Sequence, residues 1–448
     1  MSDTLSASPL TNPVFRRLFS AQVIALLGTG LMTVALGLLA YDLAGASAGA
    51  VLGAAYTLKM TAYVGLSPVA GALVARMNRK HVLIVMDLLR AAVALALPFV
   101  TEIWQIYVLI FLLQSGSATF TPAFQAVIPD ILPDERQYTR ALSLSRLAYD
   151  LENLLSPAIA GLVLSLFSFH WLFSGTVAGF AVSALLVATV AIPATSGNKD
   201  RPFRERLTRG TWIYLNTPRL RGLLALNFAA ATTGAFVIVN SVVAVRATFG
   251  LGDAQLALAM AAFGAGSMVA ALCLPRLLDH VADRAVMVTA AILLSGLTLT
   301  LGLTWSRSGP PEWSIFLGLW ALAGLLYSAI LTPSGRLLRR SANPDDRPAI
   351  FTAQFALSHA CWLVTYPLAG WAGDALSLGT ALVVLGIAAF LATVLGILLW
   401  RDANQTEFEH DHPDLPADHP HLKAHHGQRH HTHAFVIDDE HRSWPTHG

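Results

Sequence analysis

Charge is scarce in this chain. Asp, Glu, Lys and Arg make up 12% of the 448 residues, against roughly 25% in an ordinary soluble domain. So few charges cannot cover water-facing surface of normal size, which excludes a string of soluble domains. Cysteine is nearly absent. Cys273 and Cys361 both lie in apolar stretches, so neither a disulfide framework nor a CxxC metal knuckle is available. Residues Met1 to Pro13 lack a basic segment leading to a small-residue cleavage site. No removable leader is expected, and the first apolar stretch should stay in lipid. Walker, HExxH and nucleophile-elbow sequences are missing too, so an enzyme is not expected.

What is there is apolar sequence. Hydrophobic residues reach 55% and the mean hydropathy is +0.58. Twelve runs, at 18–43, 50–75, 82–100, 104–128, 141–167, 170–192, 220–246, 254–278, 285–306, 313–335, 348–373 and 377–400, reach the roughly 20 residues that a bilayer crossing needs. The least distinct cuts fall at Ser168–His170 and Asp374–Leu378. Loop charges check the count, because loops rich in Lys and Arg stay in the cytoplasm. With both termini inside, the inner loops hold twenty Lys and Arg and the outer loops two, Arg246 and Arg307. A single missed helix would scramble that asymmetry. The expected location is the cell (inner) membrane, with both termini cytoplasmic.

The chain also repeats itself. Thr121-Pro122 followed by Pro133-Asp134-Glu135-Arg136 returns as Thr332-Pro333 followed by Pro344-Asp345-Asp346-Arg347, and both pairs are offset by 211 positions. Asn12-Pro13 reappears as Thr217-Pro218, and Gln22 then maps onto Asn227. Two parallel six-helix repeats enclose a cavity where they meet. The implied units are a first half at 1–192, a basic linker at 193–219 expected to form a surface helix on the headgroups, a second half at 220–401, and a tail at 402–448. Gly28-Thr29-Gly30 and Gly264-Ala265-Gly266 lie within apolar spans and read as close helix packing.

These features resemble the major facilitator superfamily over roughly Asn12 to Arg401. That family carries a signature loop, Gly-x-Leu-x-Asp-Arg-x-Gly-Arg-Arg/Lys. Here it reads Gly71-Ala72-Leu73-Val74-Ala75-Arg76-Met77-Asn78-Arg79-Lys80, with Ala75 for the acid and Asn78 for the second glycine. The resemblance makes Gly71, Arg76, Arg79 and Lys80 parts of an inner gate. Asp87 and Arg90, three apart on one helix face, are candidates to replace the missing acid. The stretch from Phe120 to Gly161 is similar to the branch that includes siderophore exporters, and a His-rich C-terminus on such a body resembles nickel-resistance exporters. The implied fold is all-α, twelve transmembrane helices in two pseudo-symmetric bundles. The implied activity is secondary active export by alternating access, coupled to protons.

Charges within spans are functional candidates by default, because an unpaired one costs several kcal/mol in lipid. Lys59 sits in the second span, and Arg146, Asp150 and Glu152 sit in the fifth. Arg146 and Asp150 share a face and can pair as packing. Glu152 lies about 200° around from Asp150 at ~100° per residue, and needs Lys59, a watered cavity or a proton. Phe355, His359, Trp362 and Tyr366 fall on one face of the eleventh span. His359 and Tyr366 read either as cavity ligands or as packed aromatics.

The tail holds eleven of the fifteen histidines. Among them His410, His412, His419, His421, His425, His426, His430, His431 and His433 offer imidazole to a divalent metal. Its composition predicts disorder. Imidazoles beside the inner mouth favour export of nickel, cobalt or zinc (Ni²⁺, Co²⁺, Zn²⁺) as transient substrate, with no resident cofactor. An organic substrate (siderophore, drug or metal chelate) is the alternative, and a non-transporting metal sensor or buffer stands behind both. The expected partners are the bilayer, the solute and protons, without nucleic acid or an obligate protein partner.

Overall fold

The computed structural model describes residues 8–44, 48–74, 77–192, 202–400, 407–411, 416, 422 and 428–444. Six long helices form a first bundle: α1 Pro13–Ala44, α2 Ala48–Val74, α3 Arg79–Ala96, α4 Ile103–Ile131, α5 Glu135–Leu166 and α6 His170–Ala188. The linker contains α7 Phe203–Asn216. The second bundle comprises α8 Pro218–Val243, α9 Asp253–Leu277, α10 Asp283–Ser308, α11 Trp313–Leu331 with the short α12 Ser334–Arg340, α13 Arg347–Ala375 and α14 Leu378–Leu399. The two indistinct cuts are real. Short non-helical turns at 167–169 and 376–377 separate α5 from α6 and α13 from α14, where the sequence marks them.

The halves repeat in packing as well as in sequence. In the first, α1 packs on α5 and α6, α3 on α4 and α6, and α2 on α4. In the second, α8 packs on α13 and α14, α10 on α11 and α14, and α9 on α11. The two bundles then meet through a symmetric pair of seams, α2 with α13 and α5 with α9. Within the first bundle, a Cβ at Gly28 would sit 3.2 Å from the Thr176 carbonyl, and one at Gly179 would sit 3.0 Å from the Ile24 carbonyl. Small residues let α1 and α6 touch backbone to backbone where lipid supplies no hydrophobic drive.

Nine of the described helices are long and apolar enough to cross a membrane. The other three, α2, α5 and α13, are of spanning length at 27, 32 and 29 residues, and they carry Lys59, Glu152 and His359. Their lower apolarity has a position: they line the seams. The outward faces carry exposed Leu95, Phe99, Leu185, Leu272, Phe390 and Leu391, with Trp104, Trp171 and Trp371 near helix ends. A soluble protein rarely exposes apolar area on this scale, and tryptophan near the ends matches an interfacial belt.

Linker and tail pack closely on the bundles. One face of α7 wedges across the ends of α2 and α13, with Gly210 against the Ala349 backbone and Arg209 buried, while Arg204, Glu205 and Leu215 stay exposed. The tail is ordered among its described residues. β1 Glu407–Asp411 pairs antiparallel with β2 His430–Ala434. Phe408, Phe435 and Ile437 are buried in the core of the second half, and Trp444 packs edge-on against Phe408 and Phe435 at 5.4 and 5.3 Å. Average composition hides these four anchors among polar residues. On the ribbon, Glu409 and Asp411 flank His430 and hold its imidazole above the usual range. That exposed clamp is therefore complete below the ordinary imidazole value while both carboxylates stay ionised, and is lost as pH rises through the raised value.

Candidate functional site

The α2–α13 seam carries an aromatic and charged cluster at mid-span. Tyr63 of α2 meets two rings of α13, Phe355 at 4.9 Å and His359 at 4.6 Å between centroids. The Tyr63 hydroxyl donates to Gln114 Oε1 of α4 at 2.8 Å, which fixes the ring across the gap. Lys59, one turn along α2, places its ammonium 5.6 Å from the Tyr63 centroid. His359 donates from Nδ1 to the Phe355 carbonyl at 2.7 Å, leaving Nε2 as its accepting nitrogen. This is the packed form of the residue, held with its ring facing the first half. Trp362 and Tyr366 continue up the helix, stacked at 5.0 Å, with Trp362 against Tyr327 of α11.

Glu152 reaches this cluster from α5. It is half-buried, packs its Cγ toward Gly30 of α1, and lies within electrostatic range of Lys59, Tyr63 and Tyr149. Nearby, Ser145 donates to Gln22 Oε1 at 3.2 Å. The structure thus brings Lys59, Glu152 and His359 to one region and sends Tyr366 up its aromatic stack. The side chains of Arg146 and Asp150 lie outside the described residues. Sequence reasoning missed Tyr63 and Gln114; no intramembrane charge marks them.

Asp87 and Arg90 are not part of the gate. They pair with each other inside the first bundle. Asp87 accepts from Ser183 of α6 at 2.7 Å, and the Arg90 guanidinium lies between the Phe120 and Phe180 rings at 4.3 and 4.5 Å. All these partners belong to the first half. Helical spacing identified the pair correctly but could not reveal which way it faces.

Other charged residues cross between the halves. At the linker side, Asp130 at the end of α4 takes Arg79 of α3 at 2.7 Å and Arg347 of α13 at 3.3 Å. At the pseudo-symmetric position, Arg336 and Arg340 of α12 hold Asp283 of α10 at 3.4 and 3.0 Å and also Glu135 of α5. One cluster runs basic–acidic–basic and its counterpart acidic–basic–acidic. The repeats keep the positions and invert the sign. The Tyr138 hydroxyl donates to the Gly335 carbonyl at 3.2 Å, and Ser67 reaches the Thr352 carbonyl at 3.5 Å, so the linker side is shut. Gly71 of the signature loop packs against Thr352. Asn78, which stands where the family has glycine, caps α3 by accepting from the Lys80 and His81 amides at 2.9 and 3.4 Å. Arg76 lies outside the described residues.

Among the described residues, no group of three His, Cys, Asp or Glu is placed to hold an ion. His430 is engaged by two carboxylates, and His431 and His433 donate to the Gln428 and Ala434 carbonyls at 2.7 and 2.9 Å. His412, His419, His421, His425 and His426 lie outside the described residues, as does the side chain of His410.

The family described as transmembrane secretion effector matches residues 4–329. Macrolide efflux protein A of Streptococcus pyogenes is 26% identical over 353 residues, spanning 75% of this chain and 84% of that protein. The protein of the same name from Enterococcus faecalis is 27% identical, spanning 67% and 96%. Multidrug efflux pump Tap of Mycolicibacterium fortuitum is 24% identical, spanning 78% and 88%. Among solved structures, a bacterial homologue of the iron transporter ferroportin in its outward-facing state superposes with a TM-score of 0.70 at 14% identity, covering 86% of this chain and 99% of that one. The E. coli fucose:proton symporter gives 0.67 at 16% identity, covering 88% and 99%. At such identities these two likenesses are of fold.

Proposed function

The chain belongs to the transmembrane secretion effector family, whose fold is that of major facilitator transporters rather than enzymes, and from that premise we propose that it exports amphipathic organic cations of the macrolide type in exchange for protons. One observation carries the reading. The seam cluster presents aromatic faces from both halves, Tyr63 against Phe355 and His359, beside one half-buried carboxylate, Glu152. Ring faces and a carboxylate attract an organic ammonium, and apolar walls with few polar groups suit a bulky ligand. A divalent metal needs several convergent N, O or S donors, which the described residues do not offer. The macrolide and multidrug efflux relatives favour the organic substrate over nickel or cobalt.

The linker side, rich in Lys and Arg, faces the cytoplasm by the charge rule. In the shut arrangement the cluster is screened from that side, so solute leaves outward and a proton replaces it on Glu152. Reopening requires parting the two charge clusters. Apart from Arg340 and Glu135 these groups are largely buried, so their desolvation offsets much of their mutual attraction, and water entering an opened gate returns part of what the broken pairs lose.

Growth of an efflux-deficient host expressing the chain tests this reading. Tolerance to macrolides and to lipophilic cations is expected to rise, with tolerance to nickel, cobalt and zinc unchanged. Raised metal tolerance with unchanged macrolide tolerance would overturn it in favour of metal export.

A further inference from the structure

The ordered tail is fastened to three elements. Arg209 of α7 spends its guanidinium on two acids, Asp346 at 2.9 Å and Asp439 of the tail at 3.0 Å. Asn343, in the turn before α13, donates to Asp438 at 3.2 Å. Trp444 lies 5.4 Å from the Arg219 guanidinium at the start of α8. Asp346 immediately precedes Arg347, the residue that α13 contributes to the Asp130 cluster. Meanwhile α7 sits in the α2–α13 seam, where Leu207, Gly210 and Thr211 face Pro68 and Gly71 of the first half and Ala349 and Thr352 of the second, around a residual void of about 10 Å³.

We infer that the β1–β2 ribbon and residues 435–444 form a latch, which holds α7 in the seam and thereby biases the linker side toward the shut state. The geometry supports a latch over a passive appendage for two reasons. The Arg209–Asp439 ion pair and the Asn343–Asp438 hydrogen bond fasten the tail to α7 and to the turn leading into α13. α7 is also the element that touches both walls of the seam, so whatever immobilises it opposes their separation. Weakening a contact made only in the shut state shifts the population by its differential free energy and by nothing else. The latch acts on the gate, so it is independent of which solute is carried.

Spin labels placed at His81→Cys and His280→Cys, with Cys273→Ser and Cys361→Ser, report the separation of the halves on the linker side by pulsed dipolar spectroscopy. Both label positions are exposed. Three proteins are compared: the whole chain, the chain ending at Trp400, and the whole chain carrying Asp439→Asn with Trp444→Ala. The long-distance population is expected to rise at least about fivefold in both altered proteins, the low end of ordinary coupling between sites. An unchanged distribution in the doubly substituted chain overturns the latch, whatever the shortened chain does. The substituted chain alone decides the matter if the shortened one fails to insert.

Discussion

Glu152→Gln is expected to weaken binding of a singly charged macrolide by on the order of 100-fold, while an uncharged solute of similar size changes less than about threefold. Two unit charges a few ångströms apart at an effective dielectric near 20 attract by about 3–4 kcal/mol, and ~1.4 kcal/mol is tenfold in affinity. Lys59 and residual water reduce the larger figure toward the lower one. Glutamine keeps the shape of the side chain, so its packing toward Gly30 survives. It cannot carry the charge or exchange a proton. Quenching of tryptophan fluorescence in detergent, with Trp362 two turns from Phe355, measures both affinities. Equal loss for charged and uncharged solutes would mean that Glu152 supports the fold and does not recognise charge.

The second large effect is on stability. Asp87 is fully buried and Arg90 nearly so, at 0% and 5% exposure, and their direct partners all belong to the first bundle. Asp87→Asn leaves a guanidinium between two phenyl rings without its counter-charge. Removing one partner of a buried pair costs about 3–5 kcal/mol, a large part of a total stability that is usually about 5–15 kcal/mol. Thermal unfolding of the purified variant should fall by many degrees. Asp87→Asn combined with Arg90→Met should recover most of the loss, because no orphan charge remains. If the single variant melts with the parent, Asp87 is not holding Arg90 in place.

Much of the architecture was legible in the residues. Twelve apolar runs, the Thr-Pro and Pro-Asp repeats and the uneven loop charge need only hydropathy and counting, and the structure returns the same helices with the same two narrow breaks. The chemistry of the gate was only partly legible. Arg347 and Arg336 count among the topology-setting charges, Glu135 belongs to the Pro-Asp repeat, and nothing local marks Asp130. Their pairing across 217 and 201 positions is a product of the fold, which no local spacing encodes. The loss of the signature acid at Ala75 was visible, but the acid at the end of α4 that joins Arg79 to Arg347 was not. Asp87 and Arg90 show the same limit from the other side. An i,i+3 pair is evident from sequence, yet whether it faces a seam or a bundle interior depends on α6, a hundred residues away. The tail misled for a different reason. Four large apolar side chains diluted among histidines and acids leave a disordered composition, although anchors act singly and not as averages. For the same reason the imidazoles, striking in number, promised a metal site that the described geometry does not assemble.

Transport itself is the most direct test. In inverted membrane vesicles the linker side, proposed to be cytoplasmic, faces the medium, and an acid lumen supplies the proton gradient that an exchanger uses. Vesicles containing the chain should concentrate a radiolabelled macrolide when the lumen is acidified and release it when a protonophore is added, and vesicles with Glu152→Gln should do neither. Accumulation equal to that of vesicles lacking the chain, or accumulation indifferent to the gradient, would contradict a proton-exchanging organic-cation exporter built on this seam.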